Sequence, residues 1–210
     1  MGKVDDNKLS KRNALLKTAF DLFAEKGFAK TTISDIVEKA GLAKGTFYLY
    51  FKDKYDLRDK LIAYKGNRLF EETFQEMRKL NLGSFEEEIC FITDYIIDRF
   101  QKQHDLLQFV AKNLSWGVFK TAFSNADFPA TYEFYQHYLD ALDRYRIHCQ
   151  SPELMLFTMI ELIGTTSYNC ILLEQPVSMD EYLPYLHKTL KHIFLVFTEE
   201  KPLAIGKSFC

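Results

Sequence analysis

Two helical stripes flank a glycine within residues 31–54, and together they admit little but two short helices set at an angle. Ile33, Ile36, Val37 and Ala40 recur at i, i+3, i+4 and i+7, so one face of the first helix is apolar. Thr32 stands where an N-cap belongs, and Asp35 three residues on forms a near capping box that also suits the positive helix end. Gly41 stops the helix, because a residue just past a helix end often takes positive φ and glycine does so without steric cost. Leu42 then tucks inward, and Phe47 and Phe51, four apart, bury one side of the second helix.

The opposite surface of that second helix carries Lys44, Gly45, Thr46, Tyr48 and Tyr50. A lysine near a helix start reaches a guanine edge or a phosphate, a threonine bonds a phosphate or packs on a thymine methyl, and a tyrosine does either. Gly45 lets the backbone come close. The pattern points to a helix-turn-helix that reads DNA. Either helix alone would read equally as half of an ordinary helical hairpin with a solvated lysine.

Around this motif the run from Leu16 to Leu57 resembles the DNA-binding domain of the tetracycline-repressor (TetR) family. The resemblance rests on the ordered residues Ala19 to Phe28, Thr31 to Ile36, Ala40 to Tyr48 and Tyr50 to Leu57. It covers about a quarter of the chain, and glycine, aromatic and lysine positions agree together in order and spacing. The resemblance implies that Thr32 and Ser34 approach DNA from the first helix, and that Lys44, Gly45, Thr46, Tyr48 and Tyr50 meet it from the second. It also implies that Lys54 holds a phosphate. Many members carry histidine where this chain has Tyr50, which leaves the base code open.

Charge is divided to match. Of the 27 Lys+Arg and 29 Asp+Glu, 14 and 9 fall in residues 1–65, leaving 13 and 20 for residues 66–210. A basic head on an acidic body places the nucleic-acid surface at one end.

At 210 residues the chain suits a small head plus one larger helical domain, divided as residues 1–53 and 54–210. Helical patterns run to the end with almost no strand-like alternation, so the expected fold is all-α: an N-terminal three-helix helix-turn-helix domain, then a C-terminal helical ligand-binding and dimerisation domain. A first helix is expected over 10–26, and a long fourth one from about Lys54 to Leu80, on the order of 40 Å. Ser84 caps a fifth, with Glu86, Glu87 and Glu88 in its first turn complementing the dipole. Short pieces are expected near 105–113 and 116–124. Longer helices follow over 129–146, from Ser151-Pro152-Glu153 to about Glu174, and from Ser178 to about Thr198.

The last helix carries Leu183, Leu186, Leu190, Ile193, Phe194 and Phe197, a stripe too apolar to leave in water. The resemblance implies that the last two helices pair with those of a second copy in a four-helix bundle, making a homodimer that reads a palindromic operator. The alternative for the stripe is packing within its own subunit. The body is rich in aromatic side chains, and a pocket for an apolar or aromatic small-molecule effector is expected. Its candidate walls are Phe91, Tyr95, Phe109, Trp116, Phe119, Tyr132, Tyr135 and Tyr168, with Glu161 and Asn169 as polar partners.

Cys90, Cys149, Cys170 and Cys210 lack zinc or redox spacing and read as buried thiols in a reducing cytoplasm. The polar N-terminus carries no secretory signal. Residues 154–173 are apolar, but Glu161, three threonines, Ser167 and Asn169 suit a helix buried in protein better than one in lipid. The histidines make no metal spacing, and no phosphate loop or nucleophile elbow appears, so neither an enzyme, a metal nor a cofactor is expected. The chain reads as a cytoplasmic DNA-binding transcriptional regulator, a repressor released from double-stranded DNA by a ligand. A DNA-binding dimer governed by a protein partner, or acting as an activator, is the alternative.

Overall fold

All regular structure among the described residues is helical. The computed structural model describes residues 3–113, 116–123 and 128–198. The helices are α1 (Lys3–Lys26), α2 (Ile33–Lys39), α3 (Lys44–Tyr48), α4 (Lys54–Met77), α5 (Phe85–Lys102), α6 (His104–Asn113), α7 (Trp116–Phe123), α8 (Pro129–Arg144), α9 (Pro152–Ser167) and α10 (Met179–Thr198). Between α9 and α10 the chain widens into a π-helical segment, Tyr168–Leu173.

The expected elements are all present, and their ends differ for identifiable reasons. Helix α1 starts at Lys3 rather than Ser10. Helix α8 stops at Arg144 because Arg146 takes φ +56°, which an α-helix cannot accommodate. The helix expected to run unbroken to Glu174 instead changes pitch at Tyr168 and ends at Glu174 with φ +51°. Helix α4 ends at Met77, three residues before Leu80.

Two apolar cores share α4. Leu15, Leu16, Ala19 and Phe23 of α1, Ile36 and Val37 of α2, and Phe47 and Phe51 enclose the head core, which Leu57, Leu61 and Ile62 of α4 complete. Further along the same helix Phe70, Phe74 and Met77 join the body core with residues of α5, α8, α9 and α10. Phe109 of α6 also enters the head core, edge-on to Phe20 with ring centroids 5.6 Å apart and stacked on Phe23 at 6.0 Å. A division at residue 54 therefore separates the segments in sequence, while the head core extends two turns into α4.

Inside the body, Glu88 of α5 is 5% exposed. Its Oε2 lies 2.8 Å from His137 Nε2, and its Oε1 accepts from Arg144 Nη1 at 2.8 Å and from the Tyr145 hydroxyl at 2.9 Å. These contacts fasten α5 to the last turns of α8.

The stretch Pro152–Leu173 is long and apolar enough in composition to cross a membrane. In the fold its buried residues Met155, Leu156, Met159 and Cys170 belong to the body core. Cys170 is buried as expected, Cys90 and Cys149 are only half-buried, and Cys210 lies outside the described residues. Burial pushes all three described thiols above their ordinary value.

The α10 stripe faces its own subunit. Leu186 and Leu190 are fully buried, Leu183, Ile193, Phe194 and Phe197 pack against the body core, and Phe194 stacks on Phe85 with centroids 5.3 Å apart. Apolar periodicity marks the inward side of a helix, and here the nearest inward surface is α5 and α9. The outward side of α10 carries Tyr185, Thr189, His192 and Val196 at i, i+4, i+7 and i+11, all exposed. Along α9 the same spacing carries Leu154, Glu161 and Thr165, which are exposed, and Thr158, which is half-buried.

Candidate functional site

The head is organised by local chemistry readable from its sequence. Thr32 is an N-cap in extended conformation; its Oγ1 accepts from the Asp35 amide at 3.1 Å, and Asp35 Oδ2 accepts from the Thr32 amide at 2.8 Å. Lys26 of α1 reaches the same carboxylate at 2.7 Å. These bonds, the Lys26 side chain first, hold the Asp35 carboxyl down at about 2. The cap is accordingly intact above the ordinary carboxylate range and is lost only as pH falls toward 2. Gly41 sits at φ +67°, and the Leu42 amide closes the turn on Val37 O at 2.9 Å.

Phe47 and Phe51 are buried beneath α3, and the opposite surface is open. Thr32, Ser34, Lys44, Gly45 and Tyr48 are exposed, Tyr48 by 54%, and Thr46 is half-buried. Thr32 and Ser34 at the start of α2, and Lys44, Gly45 and Tyr48 of α3, are thus open to solvent, with Thr46 partly so. Tyr48 is held by its edge contact with Phe47, at 5.4 Å and 80°. Tyr50 is less available than expected: it is half-buried and packs against the head core. Leu49, 77% exposed at the end of α3, was not among the sequence candidates. An apolar residue exposed beside Tyr48 is a surface suited to a thymine methyl, and its placement out of step with Phe47 and Phe51 is the signal that could have found it.

Lys54 differs most from expectation. Its Nζ donates to the carbonyls of Phe28 and Thr31, both at 2.9 Å, and of Ala29 at 3.4 Å, and it lies 4.4 Å from the Phe28 ring centroid. An ammonium has three donors, and all three serve the turn that delivers α2. The side chain ties the turn that leads to the Thr32 cap to the start of α4. Lys54→Met should therefore lower head stability by about 1–3 kcal/mol, since those carbonyls lose a charged donor. The salt dependence of DNA binding should stay unchanged; a slope reduced by about one phosphate contact would restore the direct role.

In the body a cavity of about 440 Å³ opens between α4, α5, α6, α9 and the π segment. Its walls are mostly aliphatic: Ile62, Leu69, Ile92, Ile96, Leu107, Val110, Met159 and Ile163 among others, with Phe70, Phe100 and Phe134 the phenylalanines. Of the sequence candidates, Glu161, Tyr168 and Asn169 line it. The others do not. Phe109 is in the head core; Trp116 packs edge-on to Phe123 and Phe157; Tyr135 stacks on Phe123 at 4.6 Å; Tyr132 is 47% exposed; Phe91 and Tyr95 lie outside the lining. The Phe119 side chain lies outside the described residues. Aromatic rings stack on one another and so fill space, and the hollow remains where branched aliphatic chains from α4, α5, α6 and α9 converge without meeting.

A helix-turn-helix head carried by one long helix on a hollow helical body defines a class of helix-turn-helix regulators. Residues 15–61 match the family model described as bacterial regulatory proteins, tetR family. Over that segment, which forms the head, the chain is similar to the DNA-binding domain of the tetR family. It is 38% identical over 88 residues, 42% of its length, to the uncharacterized HTH-type transcriptional regulator YvdT of Bacillus subtilis (strain 168). That match spans 42% of YvdT, and the chain covers half or less of the length of the curated relatives it matches. The fold extends further: a TetR-family regulator from Syntrophomonas wolfei superposes with TM-score 0.66 at 18% identity, over 94% of this chain and 98% of that one. FadR from Bacillus subtilis, solved in complex with stearoyl-CoA, superposes with TM-score 0.55 at 19% identity, over 90% and 98%.

Proposed function

We propose that the protein is a homodimeric transcriptional repressor whose two heads read a palindromic operator in duplex DNA, and whose hold on that operator falls when an apolar effector fills the body cavity. The observation that carries this reading is the continuity of α4. Leu57, Leu61 and Ile62 complete the head core, and Ile62, Leu69 and Phe70 of the same helix line the cavity. A ligand that favours one setting of α4 over another biases the heads by that difference in affinity.

A cavity of about 440 Å³ lies inside the ~300–1,000 Å³ range of small-molecule sites, which favours a ligand over a protein partner as the controlling agent. The lining is matched to an alkyl or acyl chain more than to the aromatic compound that the composition suggested. The second copy docks on the outward faces of α9 and α10, where Leu154, Tyr185 and Val196 are exposed among small threonines. Two such helix pairs make a four-helix bundle, and the two-fold axis sets the heads for symmetric half-sites. Lys44, Thr46 and Tyr48 make the base and phosphate contacts, Thr32 and Ser34 approach the backbone, and the protein acts in the cytoplasm.

Selection of bound duplexes from a random pool, followed by a mobility-shift assay with alkyl compounds added, tests the whole reading. The expected result is an enriched palindrome released by one of them; absence of any enriched sequence overturns the DNA-binding role. Tyr48→Ala should weaken binding to the selected sequence by roughly two orders of magnitude or more, because a contact worth ~1–3 kcal/mol is lost in each of two heads. Sedimentation and thermal melting should remain those of the parent protein.

A further inference from the structure

Lys65 is the cationic side chain in the cavity lining, half-buried on α4 between the two cores. Among the described residues it forms no ion pair. Its ammonium instead lies 3.6 Å from the ring centroid of Phe20, on α1 of the head. Phe20 in turn meets Phe109 of α6 edge-on, so the lysine touches the cavity on one side and an aromatic pair of the head on the other. Burial, and next the neighbouring Arg68, pull the Lys65 ammonium below its ordinary value, while Asp21 opposes. Among the described residues this half-buried cation meets a ring face and has no hydrogen-bonding counter-anion. The acid of the lining, Glu161, is exposed on the side of α9 assigned to the second copy, which leaves Lys65 as the half-buried charge of the lining.

We propose that the effector is a single-chain amphiphile with an anionic head, whose carboxylate or equivalent anion pairs with Lys65 and draws the ammonium off Phe20, loosening α1 from α4. This rests on reading the cavity as an effector site and adds the ligand class and the first step of its signal. The aliphatic walls take the chain, Lys65 takes the head group, and the exchange of a ring contact for an ion pair is the event that the head feels. Each methylene buried along the walls should raise affinity about fourfold until the cavity is full.

The test uses calorimetric titration of the full chain with dodecanoate and with 1-dodecanol, equal in chain and differing in charge. Dodecanoate should bind about ten- to hundredfold tighter to the parent protein, the range for a hydrogen bond to a charged group. Lys65→Met, which keeps the apolar stem, should bind both alike. Hydrogen exchange supplies the second readout: dodecanoate should speed exchange of α1 amides around Phe20 in the parent protein and leave them unchanged in Lys65→Met. Phe20→Leu should keep the preference for dodecanoate and lose the exchange response. Equal binding of the two probes to the parent protein overturns the anionic-head proposal and leaves the effector cavity standing. Binding of neither overturns the effector reading itself.

Discussion

Glu88→Ala should lower the melting temperature of the protein by roughly 6–12 °C, the counterpart of about 3 kcal/mol in a domain of this size. The carboxylate is almost wholly enclosed and uses both oxygens, one toward His137 and one toward Arg144 and Tyr145. Removing it leaves three polar groups of α8 and its C-terminal turn without their partner at the α5 interface, and a buried pair broken on one side costs more than the pair itself contributes. The figure sits at the low end because the Arg144 side chain is 47% exposed and can turn to water. Glu88→Gln, which keeps the shape and one acceptor, should cost less than half as much. Melting followed by circular dichroism reads both, and a shift under about 2 °C for Glu88→Ala would mean that the network contributes nothing. Glu86→Ala is the matched control: its partner Lys191, at 3.0 Å, is 56% exposed, so the shift should be within about 0.5 kcal/mol.

The second large effect concerns assembly. Tyr185→Glu combined with Val196→Glu should convert the proposed dimer to a monomer and weaken binding to a selected palindrome by roughly 10²–10⁴-fold, the gain that linking two heads supplies. Both residues are exposed on the outward face of α10, at 66% and 52%, and neither supports the core of its own subunit. In an isologous interface each substitution occurs twice, so the double variant sets four carboxylates into one seam. Sedimentation velocity should give a single species of monomer mass with unchanged helicity. The contrasting variant is Leu186→Ala: it removes a fully buried side chain and should lower stability by about 2–5 kcal/mol while the folded fraction still dimerises. A dimer that survives the charged pair of substitutions would show that the last two helices meet something other than a second copy.

The head was legible because its determinants are local. A threonine and an aspartate three residues apart form a capping box wherever they occur at a helix start, Gly41 takes a positive φ that other residues resist, and a stripe of period 3.6 buries itself in the nearest groove. The hold of Lys54 on the turn before α2 was not legible, because the Phe28 carbonyl lies 26 positions away and sequence spacing carries no information about which oxygens a turn will present. The body was legible only as a set of helices. Aromatic residues suggested the pocket by their number, yet rings such as Tyr135 and Phe123 spend their surface on each other, and the cavity opens among aliphatic residues of four separate helices.

The sequence by itself determined that the regular structure of the described residues is helical, where the turn between α2 and α3 falls, and which face of α3 meets solvent. Each of those follows from contacts within a few residues. Only the tertiary structure decided that Glu88 is interior while Glu86, in the same run of three glutamates, is half-exposed; that the apolar stripe of α10 seals its own subunit; and that Lys65 lies between a cavity and the head. Periodicity tells a helix which side faces inward. What waits on that side, whether a neighbour, a void or a lone charge, depends on helices that close over it from dozens of residues away.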